Sequence, residues 1–93
     1  MIYREYKWFK DYEKKLGITP EALEKGITFV WGDTKDVFKK VGDTLILNGV
    51  EFHYFNDYGP LANMHNALDL FYGDIRSQDV KRLLDNSEII FEK

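Results

Sequence analysis

The alternation of apolar and polar positions is clearest in the middle of the chain, where two β-favouring runs flank a two-residue gap. The runs span residues 44–47 and 50–55, and the gap holds Asn48 and Gly49. A type I′ turn needs positive φ at both central residues, and Asn and Gly tolerate that conformation. The pattern therefore predicts a β-hairpin with its turn at these two residues.

The predicted turn also sets which residues of the two strands face each other. A two-residue turn places Leu47 opposite Val50 and Leu45 opposite Phe52. We expect this hairpin to form a platform that flanking helices cover.

Residues 2–16 show helical spacing, since their apolar side chains fall on one arc at 100° per residue. Gly17 ends this N-terminal helix. Glu5 and Glu13 lie inside or beside the arc, so they either reach water from its rim or belong to a side that contacts a partner. The arc consists of Ile2, Tyr6, Phe9, Tyr12 and Leu16, with Trp8 at its edge.

Three further runs are candidates for strands. Residues 27–31 are β-rich and predict a central strand, and residues 88–91 predict an edge or pairing strand. Residues 33–41 are ambiguous. Asp33 could cap a two-turn helix that Gly42 ends, or the segment could be a strand. We favour the helix.

Other segments predict helices of different lengths. Thr19 and Pro20 begin a short connector helix that Gly26 ends. Residues 61–72 form a core helix in the middle of the chain, and Ser77 caps a final, C-terminal helix.

Together these elements predict a single compact α+β domain spanning residues 1–93. We expect a small antiparallel sheet, built from the hairpin 44–47/50–55 and strands near 27–31 and 88–91, covered by N-terminal, middle and C-terminal helices. A small half-barrel is the alternative fold.

The composition limits the kinds of site that the chain can carry. It contains no cysteine, which excludes a disulfide framework, a thiolate metal site and a cysteine nucleophile, and we expect a cytoplasmic protein. No signal-peptide pattern opens the chain, and no apolar run approaches the ~20 residues of a membrane helix. Aromatic residues make up 16 % of the chain, so we expect some rings to remain at the surface.

Charge is distributed unevenly around a net value of −3. No Lys or Arg occurs between Lys40 and Arg76, whereas five acidic residues do. A basic groove that follows a phosphate backbone is therefore not expected here, and we predict no direct contact with nucleic acid.

Recognisable catalytic patterns are absent. The sequence contains no GxGxxG, GxxxxGK[ST], GxSxG or HExxH motif. His53 and His65 could meet, with Glu51 and Asp57 or Asp69, in a site for a divalent metal or a general base. Nothing in the sequence forces them together, so we predict no catalytic residue, no metal ligand and no cofactor.

The segment at the exit of the hairpin, FHYFNDY, carries aromatic side chains and no Lys or Arg. Such a surface suits a protein partner with a basic surface, because aromatic residues commonly anchor interfaces. We expect a small non-enzymatic protein-binding module, an inhibitor of a host or defence protein encoded by a phage or mobile element. The expected contact residues are Tyr54, Asp57 and Tyr58, together with Trp8 and Tyr12.

A protein that binds or sequesters a small, nucleotide-like ligand between aromatic rings is the alternative function. The short C-terminal strand and the exposed rings would also suit a symmetric homodimer.

Overall fold

The computed structural model has four helices and a five-stranded antiparallel sheet within residues 3–93, which confirms the predicted α+β fold. The structure describes the backbone of residues 3–93 and the side chains from Lys7 onward, so the expectations for Ile2, Glu5 and Tyr6 lie outside the described residues. In chain order the elements are α1 (Tyr3–Leu16), α2 (Pro20–Lys25), β1 (Ile27–Trp31), β2 (Thr34–Val41), β3 (Thr44–Leu47), β4 (Val50–His53), a 3₁₀ turn (Asn56–Tyr58), α3 (Pro60–Tyr72), α4 (Ser77–Asn86) and β5 (Glu88–Phe91).

The predicted hairpin is confirmed as β3 and β4. Asn48 and Gly49 adopt φ values of 51° and 84°, as a type I′ turn requires. Leu47 pairs with Val50 and Leu45 with Phe52, which is the expected register. The second strand ends at His53, two residues earlier than predicted.

The expectation of a helix at residues 33–41 is wrong, because this segment forms strand β2. A tight turn after β1 places Trp31 opposite Thr34. From there the exposure of the side chains alternates, with Asp36 and Phe38 buried and their immediate neighbours exposed. This period of two is that of a strand with one buried face.

Strand order in the sheet is β4-β3-β2-β1-β5. The first four strands form a meander, and β5 joins the outer edge of β1. β1 is therefore an interior strand, as predicted, and β5 is an edge strand. The result is an open sheet with helices on one face, rather than the half-barrel considered as the alternative.

The hydrophobic core lies between the sheet and the helices. Alternate residues of β1, β2 and β3 supply one side of it: Ile27, Phe29, Phe38, Leu45 and Leu47. The helices supply the other side, with Phe9, Leu23, Leu61, Met64, Leu68, Val80 and Leu84. Burial of these large side chains provides the main favourable term for folding.

The opposite face of the sheet is not covered by any helix within residues 3–93. Val37, Val41 and Ile90 are exposed there, beside the exposed Lys35 and Lys39. We refer to this surface as the open face.

Two side chains of α1 make hydrogen bonds to the other helices. Glu13 Oε2 accepts a hydrogen bond of 3.0 Å from the backbone N–H of Leu61, in the first turn of α3. The first N–H groups of a helix lack partners within the helix, and this end of the helix favours negative charge. The position of Glu13 beside the apolar arc is thus explained: it caps α3. Tyr12 donates a hydrogen bond of 2.8 Å to Asp85 of α4.

None of the helices within residues 3–93 is long and apolar enough to cross a membrane.

Candidate functional site

Three rings lie one against the next where the chain leaves β4. The rings of His53 and Phe55 meet edge to face with their centres 4.5 Å apart, and those of Phe55 and Tyr58 are 5.5 Å apart. Phe55 is 41 % exposed and Tyr58 is 46 % exposed. We call His53, Phe55 and Tyr58 the ring cluster.

Carboxylates accompany these rings. Asp43, at the β2–β3 turn, and Asp57, in the 3₁₀ turn, line a surface depression of about 290 Å³ together with the ring cluster. Asn56 Nδ2 donates a hydrogen bond of 3.4 Å to Asp43 Oδ1 and so ties the two turns together. Among the side chains described from Lys7 onward, no Lys or Arg lines this depression, so the charge of its described lining is negative.

A buried asparagine of α3 holds this segment in place. Asn63 Oδ1 accepts from the backbone N–H of Phe55 at 2.5 Å, and its Nδ2 donates to the Phe55 carbonyl at 2.7 Å. The same Nδ2 also lies 2.6 Å from the carbonyl of Gly59. The backbone that carries Phe55 and leads into the 3₁₀ turn is therefore fixed to the core, although its rings are exposed.

The expected contact residues of this region divide between surface and core. Asp57 and Tyr58 are exposed and line the depression, whereas Tyr54 is only 2 % exposed. Tyr54 follows Phe52 by two residues and so shares the covered face of the sheet with Leu45. Its proposed role as a surface contact is corrected accordingly: its ring belongs to the core, and the exposed ring is that of Phe55.

Sequence reasoning missed His53, Phe55 and Asp43 as members of this site. A signal for Phe55 was present, because the register that sets Leu45 opposite Phe52 assigns odd-numbered residues after the turn to the open face. No local signal brings Asp43 to the site, since it arrives through the pairing of β3 with β4.

Trp8 and Tyr12 lie elsewhere. Both are half-buried on α1, where their rings meet edge to face at 5.0 Å and pack against the core. The hydrogen bond to Asp85, together with burial and the charge of that carboxylate, raises the pKa of Tyr12. The structure thus gives these two rings a role in joining α1 to the core and to α4, and they do not line the depression.

The two histidines have different neighbours. His53 packs on Phe55, whereas His65 packs on Phe9 and donates from its Nε2–H to the carbonyl of Ile75 at 2.7 Å. Among the residues that the structure describes, no group of three or more His, Asp or Glu side chains could hold a metal ion.

Comparison of the chain with family models, with curated proteins and with solved structures gives no match. The interpretation of the function therefore depends on the geometry of the ring cluster and its carboxylates.

Proposed function

We propose that this chain is a small non-enzymatic protein-binding module that contacts its partner through the ring cluster and the carboxylates of Asp43 and Asp57. The partner presents a basic surface, because the described residues that line the depression include two carboxylates and no Lys or Arg. Complementary charge of this kind accelerates association and sets the orientation of the two proteins.

The observation that supports this proposal is the combination of exposure and rigidity at Phe55. Its ring is exposed between two other rings, while Asn63 holds both backbone hydrogen-bonding groups of the same residue. Aromatic anchors supply much of the free energy of binding at interfaces. An anchor already held in one position loses less conformational entropy on binding than a mobile one.

Additional contact area is available beside the ring cluster. His53 pairs with Thr44, and Thr44 pairs with Val41, so the cluster adjoins the exposed apolar residues of the open face. A stable interface buries about 800 Å² on each partner, more than three rings provide. We propose that the partner extends from the ring cluster onto this face.

The finer parts of the proposal rest on analogy with small acidic proteins that lack catalytic motifs. A compact module with a negative, ring-rich surface acts by occupying a basic functional surface of its partner, which is the role of an inhibitor. We propose that it acts in the cytoplasm against a host or defence protein, and that a phage or mobile element encodes it.

The test is quantitative affinity capture from an extract of the host cell, with three purified baits. The baits are the wild-type protein, the double variant Asp57→Lys with Tyr58→Ala, and Trp31→Ala, which removes an exposed ring far from the site. We expect a basic protein that the wild type and Trp31→Ala retain equally and the double variant retains about tenfold less, a difference of about 1.4 kcal/mol.

Thermal unfolding of the double variant provides a fold control for the capture. Because the substituted side chains are exposed, the double variant should unfold at the same temperature as the wild type. Equal retention of every captured protein by the wild type and a folded double variant would refute the proposed site.

A further inference from the structure

A cleft of about 430 Å³ opens on the other side of the molecule, between α3, α4 and the β1–β2 turn. Its volume falls within the range of ~300–1,000 Å³ typical of small-molecule sites. The inner wall is apolar, with Leu68, Ile75, Val80 and Leu83. Trp31 and Tyr72 add two aromatic side chains, and that of Trp31 is 45 % exposed.

One carboxylate lies within this apolar wall. Asp36 is 1 % exposed, and its Oδ1 accepts hydrogen bonds from the Tyr72 hydroxyl at 2.5 Å and from Asn48 Nδ2 at 3.1 Å. Both bonds go to the same oxygen. Oδ2 has no hydrogen-bond partner, and Asp36 has no Lys, Arg or His partner, among the side chains described from Lys7 onward.

Among the described residues, the Asp36 carboxylate has no opposite charge beside it, so an ammonium group that reached it would form a charge-assisted hydrogen bond with no competing cation. The Tyr72 hydroxyl cannot supply that charge. Burial, followed by the hydrogen bond to Asp36 and its charge, raises the pKa of Tyr72 to about 12, so the hydroxyl is a neutral donor at neutral pH.

The remaining charged residues of the cleft already have partners. Arg82 lies 3.7 Å from Asp79, and Asp79 also accepts a hydrogen bond of 3.0 Å from the backbone N–H of Arg76. Asp36 is therefore the one charge lining this cleft that lacks an opposite charge among the described residues, and the cleft carries a net negative charge.

We infer that this cleft binds a small organic cation, an amine with an apolar or aromatic body. Its ammonium group would pair with the Asp36 carboxylate, its body would pack on Leu68, Val80 and Leu83, and Trp31 and Tyr72 would add cation–π or stacking contacts. The same negative charge disfavours a phosphate-bearing ligand, and so argues against a nucleotide here. This inference is independent of the protein-binding proposal, since the two sites share no residue.

The test uses three probes with the ¹⁵N-labelled protein, of which the first two are matched in size and differ in charge. Tryptamine carries a cation on an aromatic body, indole-3-propionate carries an anion on the same body, and the capped peptide acetyl-Ala-Lys-Ala-amide carries its cation on a peptide. Binding is measured by calorimetry and located from amide shifts. We expect tryptamine to shift residues around Trp31, Tyr72 and Leu83, and to bind at least about tenfold more tightly than either other probe.

Two variants make the result specific. Asp36→Asn keeps an oxygen that can accept from Tyr72 and Asn48 but removes the charge, and it should weaken tryptamine binding about tenfold. Trp31→Ala, which changes an exposed side chain, should also weaken tryptamine binding. This variant provides the test if Asp36→Asn does not fold. The double variant Asp57→Lys with Tyr58→Ala should bind tryptamine as the wild type does.

Four outcomes would overturn the inference. Equal affinity for tryptamine and indole-3-propionate would show that the charge of Asp36 selects nothing. Unchanged binding by both Asp36→Asn and Trp31→Ala, or no shifts at the cleft, would place the amine elsewhere. Tighter binding of the lysine peptide would make the occupant a protein side chain instead of a small molecule.

Discussion

Lys40 lies over the ring of Tyr54, with its Nζ 5.1 Å from the ring centre, while the hydroxyl of that tyrosine is buried without a hydrogen-bond partner among the described side chains. The cation stabilises the ring through its face, but it does not satisfy the hydroxyl. Burial raises the pKa of Tyr54 to about 12, and the charges of Glu13 and Glu21 add to the effect. Two predictions concern this hydroxyl.

Replacement of Tyr54 by Phe should stabilise the protein at neutral pH. A buried polar group without a partner has lost its bonds to water, so removing it should raise the free energy of unfolding by about 1 kcal/mol. Urea denaturation measures this change, and Tyr58→Phe at an exposed ring is the matched control. A loss of stability in Tyr54→Phe would mean that the hydroxyl has a partner in solution.

Stability should also fall between pH 10 and 12. The unfolded chain releases the tyrosine protons near pH 10, whereas the folded protein retains those of Tyr54 and Tyr72 until about pH 12. The unfolded state therefore binds fewer protons in this window, and the free energy of unfolding decreases as pH rises. For Tyr54 the decrease amounts to about 2–3 kcal/mol. Tyr72 contributes less, because solvent screens its half-exposed side chain.

Urea titrations at pH 8, 10.5 and 11.5 measure this dependence. The free energy of unfolding should fall less steeply with pH in Tyr54→Phe than in the wild type. Below pH 10 the two proteins should differ only by the constant gain in stability from removing the hydroxyl. Parallel pH profiles for the two proteins would contradict the assignment.

Removal of the Asn63 side chain should loosen the ring cluster and destabilise the fold. Asn63→Ala leaves the N–H of Phe55 without its acceptor and removes one of the two donors to the Phe55 carbonyl, which keeps the N–H of Tyr58, so the change should cost about 1–3 kcal/mol. Asn66→Ala on the same helix is the control, since Asn66 makes no side-chain hydrogen bond to the described residues. Amide exchange at Phe55 should accelerate in Asn63→Ala alone. Similar stability losses in the two variants would indicate a helix-propensity effect.

Loss of the Glu13 carboxylate should destabilise the start of α3. We expect Glu13→Ala to lower the free energy of unfolding by about 1–2 kcal/mol, because the N–H of Leu61 loses its charged acceptor. Asp11→Ala, at an exposed position of the same helix, should change it by less than about 0.5 kcal/mol. Thermal unfolding distinguishes the two, and equal shifts in both variants would remove the capping role.

Substitutions at Asn48 should separate the contribution of its side chain from that of its backbone. The Asn48 amide accepts from the Val37 N–H at 2.8 Å and donates to Asp36, so Asn48→Gly should cost about 1–2 kcal/mol. Asn48→Ala should cost about 1 kcal/mol more, since its Cβ opposes the positive φ. Denaturant midpoints of the two variants provide the measurement, and equal midpoints would show that the turn relaxes to another conformation.

Local patterns were sufficient for most of the fold. Asn48 and Gly49 identify the hairpin, because few residues tolerate the backbone conformation that they adopt. The error at β2 has a physical cause. The buried positions of β2 include a carboxylate, Asp36, which hides the alternation of apolar and polar residues. Asp33 and Gly42 resemble residues at the ends of a helix, but they lie in turns.

The depression at the ring cluster and the cleft between α3 and α4 depend on tertiary packing that no local sequence pattern encodes. The ring cluster could be derived in part, since the hairpin register assigns Phe55 to the open face and Tyr54 to the core. The partners that complete it, Asp43 and Asn63, arrive from other elements. In the cleft, Trp31, Asp36 and Tyr72 come from β1, β2 and α3, and only the tertiary structure brings them together.

The pairing of β5 with β1 joins Phe91 to Ile27 and Glu88 to Val30, contacts that span about two thirds of the chain. During synthesis on a ribosome, β1 can pair with β2 early, but its other edge has no partner until residue 88 has left the exit tunnel. A nascent chain stalled before that point should therefore expose an unpaired strand edge and interact with chaperones, and emergence of residues 88–91 should end that interaction.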